Sequence, residues 1–133
     1  MSDSLTIAKT CATHADEMQA GDIVILDLRG ISTLADYFVI CTATSLPHLK
    51  AVNRDIRLKT EEEIGERPRS SEGDPGSMWL VIDYVDVVVH VFHEEKRHLY
   101  ALEDLWSDAP RVNLDFLPNR GPSSDSSESW RLR

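Results

Sequence analysis

The chain has 133 residues, 41% of them hydrophobic, enough for one domain with a real core. Asp and Glu number 23 against 14 Lys and Arg, a formal net charge of −9. That balance argues against direct binding to phosphate backbones, which needs clustered cations, and favours a basic protein surface reached by electrostatic steering; a generic solubility charge accounts for it equally well.

Residues 1–10, MSDSLTIAKT, show neither the charged-then-apolar order of a secretory leader nor the Arg-rich character of an organellar transit peptide. No run approaches the roughly 18 apolar residues of a membrane span. The expected location is therefore the cytoplasm. Cys11 and Cys41 do not form a C-x-x-C pair, so neither a zinc site nor a disulfide framework is supported.

Residues 4–20 carry Leu5, Ala8, Cys11 or Ala12, Ala15 and Met18 at three-four spacing, which predicts an amphipathic helix. Ser4 or Asp3 can cap its start and Gly21 can stop it. Residues 22–29, DIVILDLR, read as a strand covered on both faces. A polar loop follows, and residues 36–43, DYFVICTA, give a second strand with Cys41 as a small buried hydrophobe. Ser45 and Pro47 announce a helix over 46–64, with Leu49, Val52, Ile56 and Ile64 inward and Gly65 as its stop. Its outer face, Lys50, Arg54, Arg57 and Lys59 followed by Glu61, Glu62 and Glu63, reads as a solvated surface.

Residues 66–77 form a turn-rich connector in which 69–72 has the makings of a short edge strand. Then come WLVIDY and VVVHVF, two β-rich runs close enough to form an antiparallel hairpin. On the second run Val87, Val89, Val91 and His93 share one face, and Val88, His90 and Phe92 the other. On the first, Trp79, Val81, Asp83 and Val85 oppose Leu80, Ile82 and Tyr84. From Glu95 the period becomes helical, with Leu99, Leu102, Leu105 and Trp106 on one side and Tyr100 beside them. Residues 1–110 make the domain and 111–133 a tail. The tail is expected to be disordered from Asn119, with Val112, Leu114 and Phe116 able to pack back.

The order α-β-β-α-(β)-β-β-α predicts an α/β domain with a mixed sheet of four or five strands flanked by helices. The 23–28 run and both hairpin runs are expected as inner strands.

No catalytic set emerges. Asp83 and Asp86 are the nearest pair of carboxylates, but a spacing of three across a turn does not place them on one strand face for shared metal ions. There is no P-loop or G-x-G-x-x-G. His90 and His93 point to opposite strand faces and His98 lies on the next element, so they do not form a metal cluster. No cofactor is expected.

Residues 22–30 (DIVILDLRG), 35–45 (ADYFVICTATS), 72–73 (EG) and 79–106 (WLVIDYVDVVVHVFHEEKRHLYALEDLW), in this order, resemble the ribosomal silencing factor family, also called RsfS or Iojap-like. The resemblance covers roughly residues 9–108. It implies a nucleotidyltransferase-like topology without the catalytic residues, and hence no enzyme. It also implies a translational repressor that binds ribosomal protein number fourteen of the large subunit and sterically blocks joining of the small subunit when nutrients are short. Carried onto this sequence, docking falls to Trp79, Asp83, Tyr84, Asp86, His90, Phe92, Glu95, Arg97 and Tyr100, with Asp36 and Tyr37 in second rank. Aromatics would be the anchors and the acids would meet Lys or Arg. Purely structural roles stand beside this reading: Trp79 in the core, Arg97 paired with Asp83 or Asp86, Tyr100 packed on the hairpin. A nucleotide- and metal-dependent nucleotidyltransferase and a homodimer using the hairpin face are the competing readings. Where the family commonly shows Ser-Gly before the second helix, the stretch here is Thr42-Ala43-Thr44-Ser45. Its frequent hairpin glycine is Val85, where a β-branched residue predicts a turn with negative φ.

Overall fold

The computed structural model describes residues 3–73, 75–100 and 107–117, without the side chains of 75 and 98–100. The element order is the expected one, short edge strand included. Helix α1, Ser4–Glu17, starts where the Asp3 carboxylate accepts the Thr6 N–H at 2.8 Å. Its stripe of Ala8, Cys11, Ala12 and Ala15 is fully buried, so small side chains bring the helix close to the sheet. The helix ends before Gly21. Gln19 takes the left-handed conformation at φ 63°, and Gly21 opens the first strand instead.

Helix α2, Leu46–Ile64, has the expected limits because its signals are local. Ser45 Oγ accepts the His48 N–H at 3.1 Å, Pro47 sits in the first turn, and Gly65 ends the helix at φ 72°. Thr60 fills the polar gap between Ile56 and Ile64. It is fully buried beside Cys11, whose Sγ lies 3.8 Å from its hydroxyl. Burial pushes both thiols, Cys11 and Cys41, up to about 12, so they behave as small hydrophobes.

The five strands are β1 Gly21–Asp27, β2 Tyr37–Ala43, β3 Ser70–Glu72, β4 Trp79–Asp83 and β5 Val87–His93. They lie in the order β1-β2-β5-β4-β3, with β2 and β5 parallel and the other pairs antiparallel. The hairpin strands β4 and β5 are inner, as expected, but β1 is an edge. Its continuous apolar run is nonetheless accounted for, because both of its faces and its outer side are covered. Residues 110–112 run along it: the Asp27 N–H donates to Pro110 O at 2.8 Å and the Val112 N–H to Ile25 O at 2.9 Å. Val112, Leu114 and Phe116 pack on the core and Leu117 is buried. The expected domain limit at 110 thus falls inside a packed segment. The disorder expected from Asn119 lies outside the described residues.

The sheet has two buried faces. Ile23, Ile25, Tyr37, Val39, Cys41, Leu80, Ile82, Val87, Val89 and Val91 meet α1 and α2. On the opposite face Leu26, Phe38, Ile40 and Phe92 form a second cluster with Leu28, Ala35 and Ala109, flanked by Val24, Trp79 and Val88. His90 belongs to this second layer. Its ring meets Phe38 edge-on at 4.7 Å, and its Nδ1 accepts the Trp79 indole N–H at 3.2 Å. The acceptor role at Nδ1 leaves the proton of the neutral imidazole on Nε2, which is buried without a partner.

Helix α3, Glu94–Tyr100, follows β5 without a loop. His93 Nδ1 accepts the Glu95 N–H at 3.1 Å and so satisfies one of the helix's first donors. The Leu102, Leu105 and Trp106 stripe lies outside the described residues.

The hairpin turn contradicts the expectation for Val85, whose φ is 78°. The Tyr84 N–H donates to Val87 O at 2.8 Å and the Asp86 N–H to Tyr84 O at 3.0 Å, a three-residue turn inside the hairpin. The Val85 N–H is held by Asp83 Oδ1 at 2.7 Å. Closing the strands this tightly requires the central residue to have positive φ, which strains a β-branched side chain.

Two outcomes follow from this geometry. Val85→Gly should raise stability by about 1 kcal/mol and the thermal midpoint by a few degrees; a lower midpoint in a calorimetric scan would show that the turn is not strained. Desolvation lowers His90 to about 4 from 6.5. The unfolded chain therefore takes up the proton first, so stability is full above 6.5 and declines as pH falls toward 4, by roughly 3 kcal/mol. Urea midpoints across that window should fall less steeply for His90→Gln than for wild type, and equal slopes would assign the acid sensitivity elsewhere.

Candidate functional site: the loop end of the sheet

Asp83 lies at the turn end of the β4–β5 hairpin, opposite Val88, and Trp79 at the other end, opposite Phe92. One end collects the β4–β5 turn and the loop between β1 and β2. The Asp36 and Tyr37 N–H groups donate to Asp86 O at 2.7 and 3.2 Å, which ties that loop to the turn. Asp83 ends β4 with both carboxylate oxygens engaged, Oδ1 by the Val85 N–H and Oδ2 by Arg69 Nη2 at 2.6 Å. Desolvation pushes this carboxyl up, yet Arg69 and the Val85 N–H together hold it below its ordinary value. The Asp86 side chain is exposed. Asp36 Oδ2 accepts the Ser4 hydroxyl at 2.8 Å, so α1 is anchored to the same end.

Around these acids lie the large exposed apolar groups Leu34 (70%), Val85 (48%) and Ile31 (41%). Ile31 and Leu34 were not singled out from the sequence. The signal available was two apolar residues in a glycine- and serine-containing loop, GISTLAD, with no strand or helix to bury them. Arg29 is pinned by a bidentate pair to Asp27 at 3.0 and 2.8 Å and lies over the Tyr37 ring. This end of the sheet therefore carries three exposed apolar side chains together with Asp27, Asp36, Asp83 and Asp86, with Arg29 and Arg69 already paired within the chain.

The remaining candidate residues are divided among the second layer, the helix-side core and the far end. Trp79, His90 and Phe92 stack together, with Trp79 and Phe92 ring centroids 5.1 Å apart. Trp79 is half-buried, whereas Phe92 is fully buried and presents no surface in this conformation. Tyr84 is buried on the helix side near Cys11 and Thr60, and burial raises its phenol. Tyr37 is buried too. Arg97 is buried and pairs with neither Asp83 nor Asp86. It donates to Thr42 Oγ1 at 2.5 Å and to Asp22 O at 2.9 Å, clamping the start of β1 to the end of β2. Glu95 is exposed in the first turn of α3. The Tyr100 side chain lies outside the described residues.

The arrangement offers surface and charge. Asp83 and Asp86 do not converge on a shared ion, since Asp83 is occupied by Arg69 and a backbone N–H. Among the described residues no three His, Cys, Asp or Glu side chains lie close enough to hold a metal. No described helix is long and apolar enough to cross a membrane.

Comparison with known proteins agrees with this picture. The family model described as "Ribosomal silencing factor during starvation" matches residues 1–132. The ribosomal silencing factor RsfS of Bacillus subtilis is 43% identical over 115 residues, which cover 86% of this chain and 97% of that one. A crystal structure from Bacillus halodurans superposes with a TM-score of 0.71 at 34% identity, covering 84% of this chain and 100% of the other. One from Chromobacterium violaceum gives a TM-score of 0.74 at 27% identity, covering 80% and 88%. The chain therefore belongs to the ribosomal silencing factor family, whose named role is regulatory and not enzymic.

Proposed function

We propose that this protein represses translation by docking on the large ribosomal subunit through its ribosomal protein number fourteen, sterically blocking entry of the small subunit. Family membership supports the ribosomal target. The observation that carries the location of docking is the apolar and acidic end of the sheet. Leu34, Ile31 and Val85 are exposed there beside Asp86 and Asp83. Apolar anchors beside carboxylates fit a basic protein surface, the acids supplying on-rate and register and the anchors affinity. Trp79 and Glu95 at the far end extend the candidate surface along the hairpin. Tyr84, His90, Phe92 and Arg97 act from behind it by holding β4, β5 and the strand ends in place.

Co-sedimentation with isolated subunits tests this. Wild type should pellet with the large subunit and not the small one, and binding should weaken as salt rises. Asp86→Lys should weaken it about tenfold and Leu34→Asp by more, since one reverses a rim charge and the other buries a carboxylate at an anchor. Loss with Trp79→Ala but not with Asp86→Lys or Leu34→Asp would shift the interface to the far end. No pelleting at low salt would sink the docking reading.

A further inference from the structure

Away from the loop end, the outer edge of the sheet carries a feature the docking role does not use. Lys50, Arg54 and Arg57 occupy positions i, i+4 and i+7 of α2 and share one face. They border a cleft of about 340 Å³ between that helix and the β3–β4 edge, with Ser71, Gly73 and Leu80 on the opposite wall. Ser71 pairs with Ile82, which puts its side chain on the helix side of the sheet.

Three cations around one cleft are unexpected in a chain of net charge −9. Their internal compensation is weak. Among the described residues the only ion pair of Arg54 is with its neighbour Asp55, at 3.6 Å, and Lys59 shares that carboxylate at 3.7 Å. Lys50 has no ion pair among the described residues. Arg57 Nε donates to a neutral acceptor, Asn53 Oδ1, at 3.0 Å. Asn53 supplies the second, independent observation. It is a buried side chain in the cleft wall, 6% exposed, and its Nδ2 has no acceptor. A buried amide donor without an acceptor costs free energy, which a shift of the side chain toward a bound anion would relieve.

We propose that this cleft binds a small phosphorylated ligand, with Lys50, Arg54 and Arg57 taking the phosphates and Leu80 lying under the apolar part. Lys and Arg spaced one helical turn apart can reach successive phosphate oxygens, and the guanidinium forks match them bidentately. The size of the cleft is that of a small-molecule site. The acidic remainder of the chain disfavours a long polyanion, whose flanking phosphates would meet Asp and Glu, so a compact di- or triphosphate fits better than a nucleic-acid strand. Gly73 shapes the opposite wall: a Cβ there would fall 2.4 Å from Trp79 O, so the chain after β3 can lie this close to β4 only with glycine, at φ 91°.

Isothermal titration of the full chain with pyrophosphate, ATP, sulfate and a short oligouridylate tests the proposal, with Lys50→Glu/Arg54→Glu as the variant. Both substituted positions are exposed, and unchanged circular dichroism and unchanged co-sedimentation with the large subunit would show that the variant is folded. Pyrophosphate or ATP should bind, with affinity falling at least about tenfold in the variant. Binding that survives the double substitution, sulfate binding as tightly as pyrophosphate, affinity for the oligonucleotide alone, or no binding of any probe at low salt would each overturn it. Because ribosome pelleting is read separately, failure here leaves the docking proposal standing, and failure of docking leaves this one.

Discussion

Everything in the domain depends on β5 being buried on both faces at once. Val87, Val89 and Val91 enter the helix-side core, while Val88, His90 and Phe92 enter the aromatic layer. It pairs with β2 on one side and β4 on the other. Because side chains alternate with a period of two, a slip of one residue would drive His90 against α1 and α2 and turn three valines into the aromatic layer. Both ends of the strand are then tied down. At one end Asp86 holds the loop before β2. At the other, His93 starts α3 and brings Arg97 back onto β1 and β2.

His90 shows what this dual burial costs. Its Nε2 donor is unsatisfied, and its Nδ1 can accept from Trp79 only while the ring is neutral. The polar atom is tolerated because the ring around it packs on Phe38, Trp79 and Phe92. A buried group of this sort favours one register, since a one-residue slip would carry His90 away from the Trp79 indole N–H.

Local chemistry was legible in the sequence and long-range placement was not. The limits of α2 follow from Ser45, Pro47 and Gly65, and the hairpin follows from two β-rich runs. That β1 lies at an edge could not be read, because the residues covering it come from 110–112, far along the chain. Arg97 was assigned a partner surface or a hairpin aspartate. Its actual partners, Thr42 and the Asp22 carbonyl, become neighbours only when β1, β2 and α3 are assembled. Strand alternation told which residues share a face but not whether that face is covered, hence the burial of Phe92 and Tyr84. Val85 departed from its residue preference because Asp83 and two backbone hydrogen bonds outweigh a penalty of a kcal/mol or two.

The 110–112 hook has a consequence for self-association. A sheet edge with free N–H and C=O groups is a template for another strand, whether from a peptide or from a second copy. On the β1 side that template is already occupied by the chain's own backbone, so strand addition is closed there. On the β3 side it is only three residues long, too short for a stable added strand. Edge-to-edge joining of two copies is thus disfavoured along the described edges, which leaves side chains at the ends and faces of the sheet as its recognition surface.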